Sequence, residues 1–141
     1  MPRWLNDPHS GGVNIPPSVQ ERTKQRILAH AQANYAGQYI RLAIRFKNQF
    51  CYIDAFTEPS PLPPNFPPPD FHESSELFIE GLRNTPTHLC RLRYLGDQEA
   101  WSLAFYTYSN EKYQPCLFHN GTFFGLPEEG FDIGAVYSAT L

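Results

Sequence analysis

From Arg41 to Phe56 the chain reads RLAIRFKNQFCYIDAF, with apolar and polar residues alternating on both sides of a break at Asn48-Gln49. Alternation of this kind marks strands with one buried face, so the stretch predicts a hairpin with a two-residue turn. That turn pairs Lys47 with Phe50, Arg45 with Tyr52, Ala43 with Asp54 and Arg41 with Phe56. The opposite face then sets Leu42, Ile44 and Phe46 against Ala55, Ile53 and Cys51 as core. A three-residue turn would place Asp54 beside Leu42, and burying an unpaired carboxylate is costly. Because a one-residue slip exchanges the faces, Asp54 selects the register.

Ahead of the hairpin, Val19, Thr23, Ile27, Ala31 and Tyr35 recur every four residues with Leu28 beside them, which predicts an amphipathic helix. Ser18-Val19-Gln20-Glu21 has the form of a capping box. The helix is therefore expected from Val19 to about Asn34, with Gly37 as its stop and Arg22, Gln25, Arg26 and Gln32 facing water. Residues 1–17 form a lead-in rich in Pro and Gly, docked by Trp4, Leu5, Val13 and Ile15. Behind the hairpin, residues 59–69 hold seven of the fourteen prolines. No central strand or helix tolerates that, so a stiff crossover loop is expected, with an SH3-type ligand as the alternative.

Further on, residues 73–83 read as a short helix with Leu77, Phe78 and Leu82 on its apolar side. In residues 88–95, Cys90, Leu92 and Tyr94 point one way and Leu89, Arg91 and Arg93 the other, with His88 in phase with Cys90. Residues 101–109 alternate again, Trp101, Leu103 and Phe105 opposing Ser102, Ala104, Tyr106 and Tyr108. A strand from Lys112 to His119 follows, and Pro115 marks it as a sheet edge. Pro127-Glu128-Glu129 suits the first turn of a helix, with Phe131, Ala135, Val136 and Tyr137 on its buried side and Gly130 and Gly134 weakening it. A short strand at 135–138 is the alternative. These elements compose a single α+β domain over residues 1–141. It has a largely antiparallel sheet of about five strands, an N-terminal helix, one or two further short helices, and helices on one face.

Composition narrows the chemistry only a little. Hydrophobic residues are 41%, charged residues 18% and aromatics 15%, with a net charge of −3. This is a folding composition, and nothing in the balance demands a polyanion. Cys51, Cys90 and Cys116 form no CxxC pair, which suits buried free thiols in a reducing compartment. MPRWLNDPHSGG lacks the apolar core of a secretory signal, and no apolar run is long enough for a bilayer. A cytoplasmic protein without a membrane partner is expected.

One surface stands out. The outward sheet face would hold Arg41, Arg45, Lys47, Phe50, Tyr52, Phe56, Arg91, Arg93, Tyr106 and Tyr108. Arg41, Arg45, Lys47, Tyr52, Arg91, Arg93 and Tyr106 are the candidate binding residues. Cations catch phosphates and exposed rings stack on bases, so single-stranded nucleic acid is one reading. A protein partner or self-association is the other, and plain cross-strand pairing the structural one. Phe50-Cys51-Tyr52-Ile53 resembles half of an RNP1 motif, but Asn48-Gln49 stand where Arg-Gly is needed and the βαββαβ order is missing. No spacing matches a zinc site or a phosphate loop, and no carboxylate pair is placed for acid–base work. Asp54 sits among arginines, which makes a general base there unexpected. A Cys nucleophile with a His base would require an accessible thiol. No catalytic residue, metal ligand or cofactor is therefore assigned, and the leading expectation is a non-enzymatic binding or interaction module. A small enzyme is the remaining alternative.

The phrases LNDPHSGG, IPPSVQERT, QFCYIDAF, HLCRLRY, WSLAFYTYSNEKYQPC and NGTFFGLPEE together resemble a group of small bacterial proteins without an assigned activity. The resemblance spans nearly the whole chain. It implies a compact bacterial domain and transfers no site residue.

Overall fold

The computed structural model describes residues 11–59, 62–66, 68–70, 74–107 and 109–139. Three helices and five strands follow in the order α1 (Pro17–Asn34), β1 (Arg41–Lys47), β2 (Phe50–Phe56), α2 (Ser75–Arg83), β3 (Thr87–Arg93), β4 (Ser102–Thr107), β5 (Lys112–Cys116) and α3 (Pro127–Ala139). The strands form one antiparallel meander, β1-β2-β3-β4-β5. The fold is α+β. α3 packs on β3, and α1 packs on α3 and the edge of β1.

The hairpin adopts the two-residue register, from Lys47–Phe50 through Arg41–Phe56. Asn48 takes the turn with φ 55°, a left-handed conformation that asparagine tolerates better than most residues. Cys51, Ile53 and Ala55 are fully buried, while Leu42, Ile44 and Phe46 pack against the same core from the half-buried edge strand. Val19, Thr23, Ile27 and Ala31 bring the α1 stripe onto it.

Several expectations need correction. α1 begins at Pro17, with Pro16 as a cap that makes no side-chain hydrogen bond, so the Ser18–Glu21 capping box does not form. Proline suits the first helical position because its φ is preset and its missing N–H would have been unpaired there. Arg26 does not face water. Its guanidinium bridges Glu99 at 3.1 Å and Glu128 at 2.9 Å, tying α1 to the β3–β4 loop and to α3. β5 ends at Cys116 rather than His119. Leu77 and Leu82 on α2 are exposed, and no residue of that helix is buried. It is held instead by Phe78 against Phe66, ring centroids 5.0 Å apart, and by Arg83 on Glu58 at 2.6 Å.

The C-terminal segment is a helix, and its glycines are contacts rather than weak points. A Cβ on Gly134 would lie 2.6 Å from the Leu89 carbonyl oxygen, and one on Gly130 2.7 Å from the Leu92 side chain. α3 thus approaches β3 backbone to backbone. Phe131, Ile133 and Ala135 are buried there, but Val136 is exposed. Ile15 docks the lead-in, its N–H bonded to the Asn48 carbonyl, whereas Val13 donates its N–H to the Tyr94 carbonyl and leaves its side chain exposed. Trp4, Leu5, Tyr108 and the Tyr137 side chain lie outside the described part. No helix among the described residues is long and apolar enough to cross a membrane.

Gly134→Ala tests this close approach. Overpacking against a fixed backbone should lower unfolding stability by about 1–3 kcal/mol, read from the urea midpoint. An unchanged midpoint would mean that α3 stands further from β3.

Candidate functional site

The face turned away from α1 and α3 carries the basic–aromatic residues in cross-strand rows. Arg45 lies opposite Tyr52, Tyr52 opposite Arg91, and Arg91 opposite Ala104. Phe50 faces Arg93, and Arg41 faces Phe56. The rows become cation–ring contacts. Arg41 sits 3.8 Å from the Phe56 ring centroid and Arg45 5.0 Å from that of Tyr52. Arg91 lies 4.0 Å from Phe50 and 4.9 Å from Tyr113. Guanidinium groups are attracted to ring faces by the ring quadrupole, so these faces are already occupied from within the protein.

Burial divides the seven candidate residues. Arg91 and Arg93 are 5% and 4% exposed, and Phe50 beside them is also buried. Arg93 donates from Nε to the Ser102 hydroxyl at 2.9 Å. The lead-in crosses above it at Gly12, where φ is +89° and a Cβ would meet the Tyr94 carbonyl oxygen at 2.8 Å and the Arg93 side chain at 2.9 Å. Between Phe50, Arg91, Arg93, Ala104 and Phe123 only a space of ≈ 10 Å³ remains, about one water's worth. The centre of the face is therefore interior. Arg41, Arg45 and Lys47 are exposed along β1, and Tyr52 and Tyr106 are half-buried.

Asp54 organises the neighbouring rows. It is 4% exposed. Arg45 donates from Nη2 to Oδ2 at 3.1 Å, and His88 Nδ1 lies 2.7 Å from Oδ1. His88 packs against Tyr106 with ring centroids 4.7 Å apart and planes tilted by 60°, and Tyr106 meets Tyr113 edge-on at 5.2 Å. The expectation that His88 and Cys90 share a phase is overturned here. The β2–β3 register shifts between Ile53 and Asp54, pairing Ile53 with Cys90 but Asp54 with His88. Leu89 is the extra residue of a bulge and enters the helix-side core, which turns His88 to the other face. The adjacent apolar pair Leu89-Cys90, a break in the alternation, was the signal for it. Cys51 and Cys90 are fully buried on the helix side, and burial raises both thiols above their ordinary range. No Cys–His nucleophile forms between them and His88. Cys116, expected buried, is only partly so.

A second carboxylate–imidazole pair joins the helices. Asp132 Oδ1 accepts the Tyr35 hydroxyl at 2.7 Å and lies 2.7 Å from His30 Nε2. Burial, then the Asp132 hydrogen bond, lifts the Tyr35 phenol well above its usual value. These partners stand about a hundred residues apart in the chain, and local pattern carries no trace of the pair. Among the described residues no group of three or more His, Cys, Asp or Glu side chains could hold a metal ion. The chain matches no protein-family model, no curated protein and no solved structure.

Tyr113 offers a direct test of this face. Its hydroxyl is buried and makes no hydrogen bond among the described residues. Burial raises its phenol above the ordinary value of 10.0, and the charge of Asp54 adds to this. A raised acid supports the fold fully below its unfolded pKa and loses that support as pH rises. Tyr113→Phe should be as stable as the wild type near pH 7, or up to about 1 kcal/mol more stable. It should also lose less stability between about pH 9 and pH 11, with Tyr35 still titrating. Urea unfolding at both pH values checks this. A destabilised variant, or one with an unchanged alkaline loss, would contradict the placement of that hydroxyl.

Proposed function

We propose that the protein is a non-enzymatic binding module that engages a protein partner through the basic rim of its sheet, Arg41, Arg45 and Lys47, with Tyr52 and Tyr106 beside it. The observation that carries this is the division of the cations. Those of β1 are exposed, whereas Arg91 and Arg93 are held inside. On a chain of net charge −3, the rim is a local positive strip suited to an acidic partner.

Two features weigh against single-stranded nucleic acid. A stacking platform needs open ring faces, and here guanidinium groups cover Phe50 and Phe56 and lie near Tyr52 and Tyr113. The innermost cations also offer no surface to a phosphate. Against an enzyme stands the Asp54 carboxylate, which is spent on Arg45 and His88 while the cysteines of β2 and β3 lie on the other face. Cys51, Cys90 and Cys116 form no disulfide, which suits a reducing, cytoplasmic setting.

Fluorescence anisotropy with labelled polyglutamate and labelled oligothymidylate separates the readings. Polyglutamate should bind at low salt, weaken as salt rises, and be lost on Arg41→Glu with Lys47→Glu. Binding that ignores both salt and substitution would overturn the proposal. So would oligothymidylate binding that survives the charge reversal but is lost on Tyr106→Ala, since that would make the rings the working surface.

A further inference from the structure

We infer that the free edge of β1, with the groove beside it, takes an extended segment of alternating acidic and apolar residues as a sixth strand of the sheet. This rests on the rim reading above and names the form of the partner.

The two edges of the sheet differ. β5 is five residues long and carries Pro115, which has no N–H to offer a further strand. β1 runs seven residues, contains no proline, and pairs with β2 without a register shift. Natural sheets blunt their edges with prolines, bulges, short strands or charges, and β1 carries only charges. The turn at Asn48-Gln49 makes Lys47 and Phe50 a hydrogen-bonded pair, and such pairs alternate along the ladder. The backbone groups of Lys47, Arg45, Ala43 and Arg41 therefore serve β2. Those of Leu42, Ile44 and Phe46 point to the open side, and none of these three makes a backbone bond to a further strand among the described residues.

Side chains then define the occupant. On one face the edge presents Arg41, Arg45 and Lys47, all exposed. A second copy pairing antiparallel about Ile44 would set Arg41 against Lys47, and like charges directly opposite are destabilising. Acidic residues at alternate positions of an added strand would meet those cations instead. On the other face Leu42, Ile44 and Phe46 are only half-buried and Ile40 is 51% exposed. Next to them a groove of ≈ 190 Å³ opens between the end of α1 and β1, lined chiefly by Leu28, Tyr35, Tyr39, Ile40 and Leu42. The apolar side chains of an extended segment would point into it, while its main chain bonds to the edge.

The test compares two synthetic peptides as long as β1, one alternating Glu and Val and one all Glu, binding to the full chain. The alternating peptide should bind at least about tenfold tighter than the all-Glu peptide. It should also slow amide exchange at Leu42, Ile44 and Phe46 without altering that of β5. Arg41→Glu with Lys47→Glu should abolish it. Equal binding of the two peptides would leave the basic rim standing and overturn strand addition. Binding of neither peptide would overturn both. Association of the protein with itself through β1, seen as a concentration-dependent dimer that excludes the peptide, would assign the edge to a second copy and also overturn the inference.

Discussion

The structure depends on where the Asp54 carboxylate can sit. On the helix side it would be a charge without a partner, at a cost of several kcal/mol. On the other side it finds Arg45 across the hairpin and His88 across β3. That requirement sets the β1–β2 register, and the register in turn decides the face of every residue on both strands. It also asks something of β3, because only the bulge at Leu89 brings His88 opposite Asp54. One carboxylate thereby links the pairing of three strands.

The middle of the sheet is consequently interior on both faces. On one side α3 lies directly on β3 through Gly130 and Gly134, and Cys51, Ile53, Leu92 and Phe131 fill the space between. On the other, rings and guanidinium groups take the place of an apolar layer. Arg91 is sandwiched by Phe50 and Tyr113, and Arg93 lies under the lead-in at Gly12. Long cationic side chains cover apolar surface with their stems, so a face that is basic in sequence can be largely closed in space. What stays open among the described residues is the margin, where β1 keeps its cations exposed and its outer backbone groups unpaired with a further strand.

The hairpin register was legible because its alternation is strict and a charge penalised the wrong one, but Leu42, Ile44 and Phe46, expected as core, are only half-buried at the sheet edge. The helix stripe of α1, the edge position of Pro115 and an antiparallel sheet of about five strands were equally legible, each resting on local pattern. The failures share a cause. Arg26, His30 and Asp132 act on partners far along the chain, and helical phase alone sends such residues to solvent. The α3 glycines looked like poor helix formers because close backbone approach is a property of the packed pair, not of the segment. Arg91 and Arg93 were placed on the correct face, but the strands that flank them and the chain that crosses above them decide their exposure. Strict alternation puts His88 one residue out of phase, and the Leu89-Cys90 doublet is the local sign of the bulge.

The most direct measurement is residue-resolved hydrogen exchange along β1 in the free protein. The hairpin register and an open edge together require two alternating classes. Amides of Ala43, Arg45 and Lys47, bonded to β2, should be protected, and those of Leu42, Ile44 and Phe46 should exchange at close to unstructured rates. Uniform protection along the strand would show that the edge is already covered. The reversed alternation would show that the Asp54 register itself is wrong.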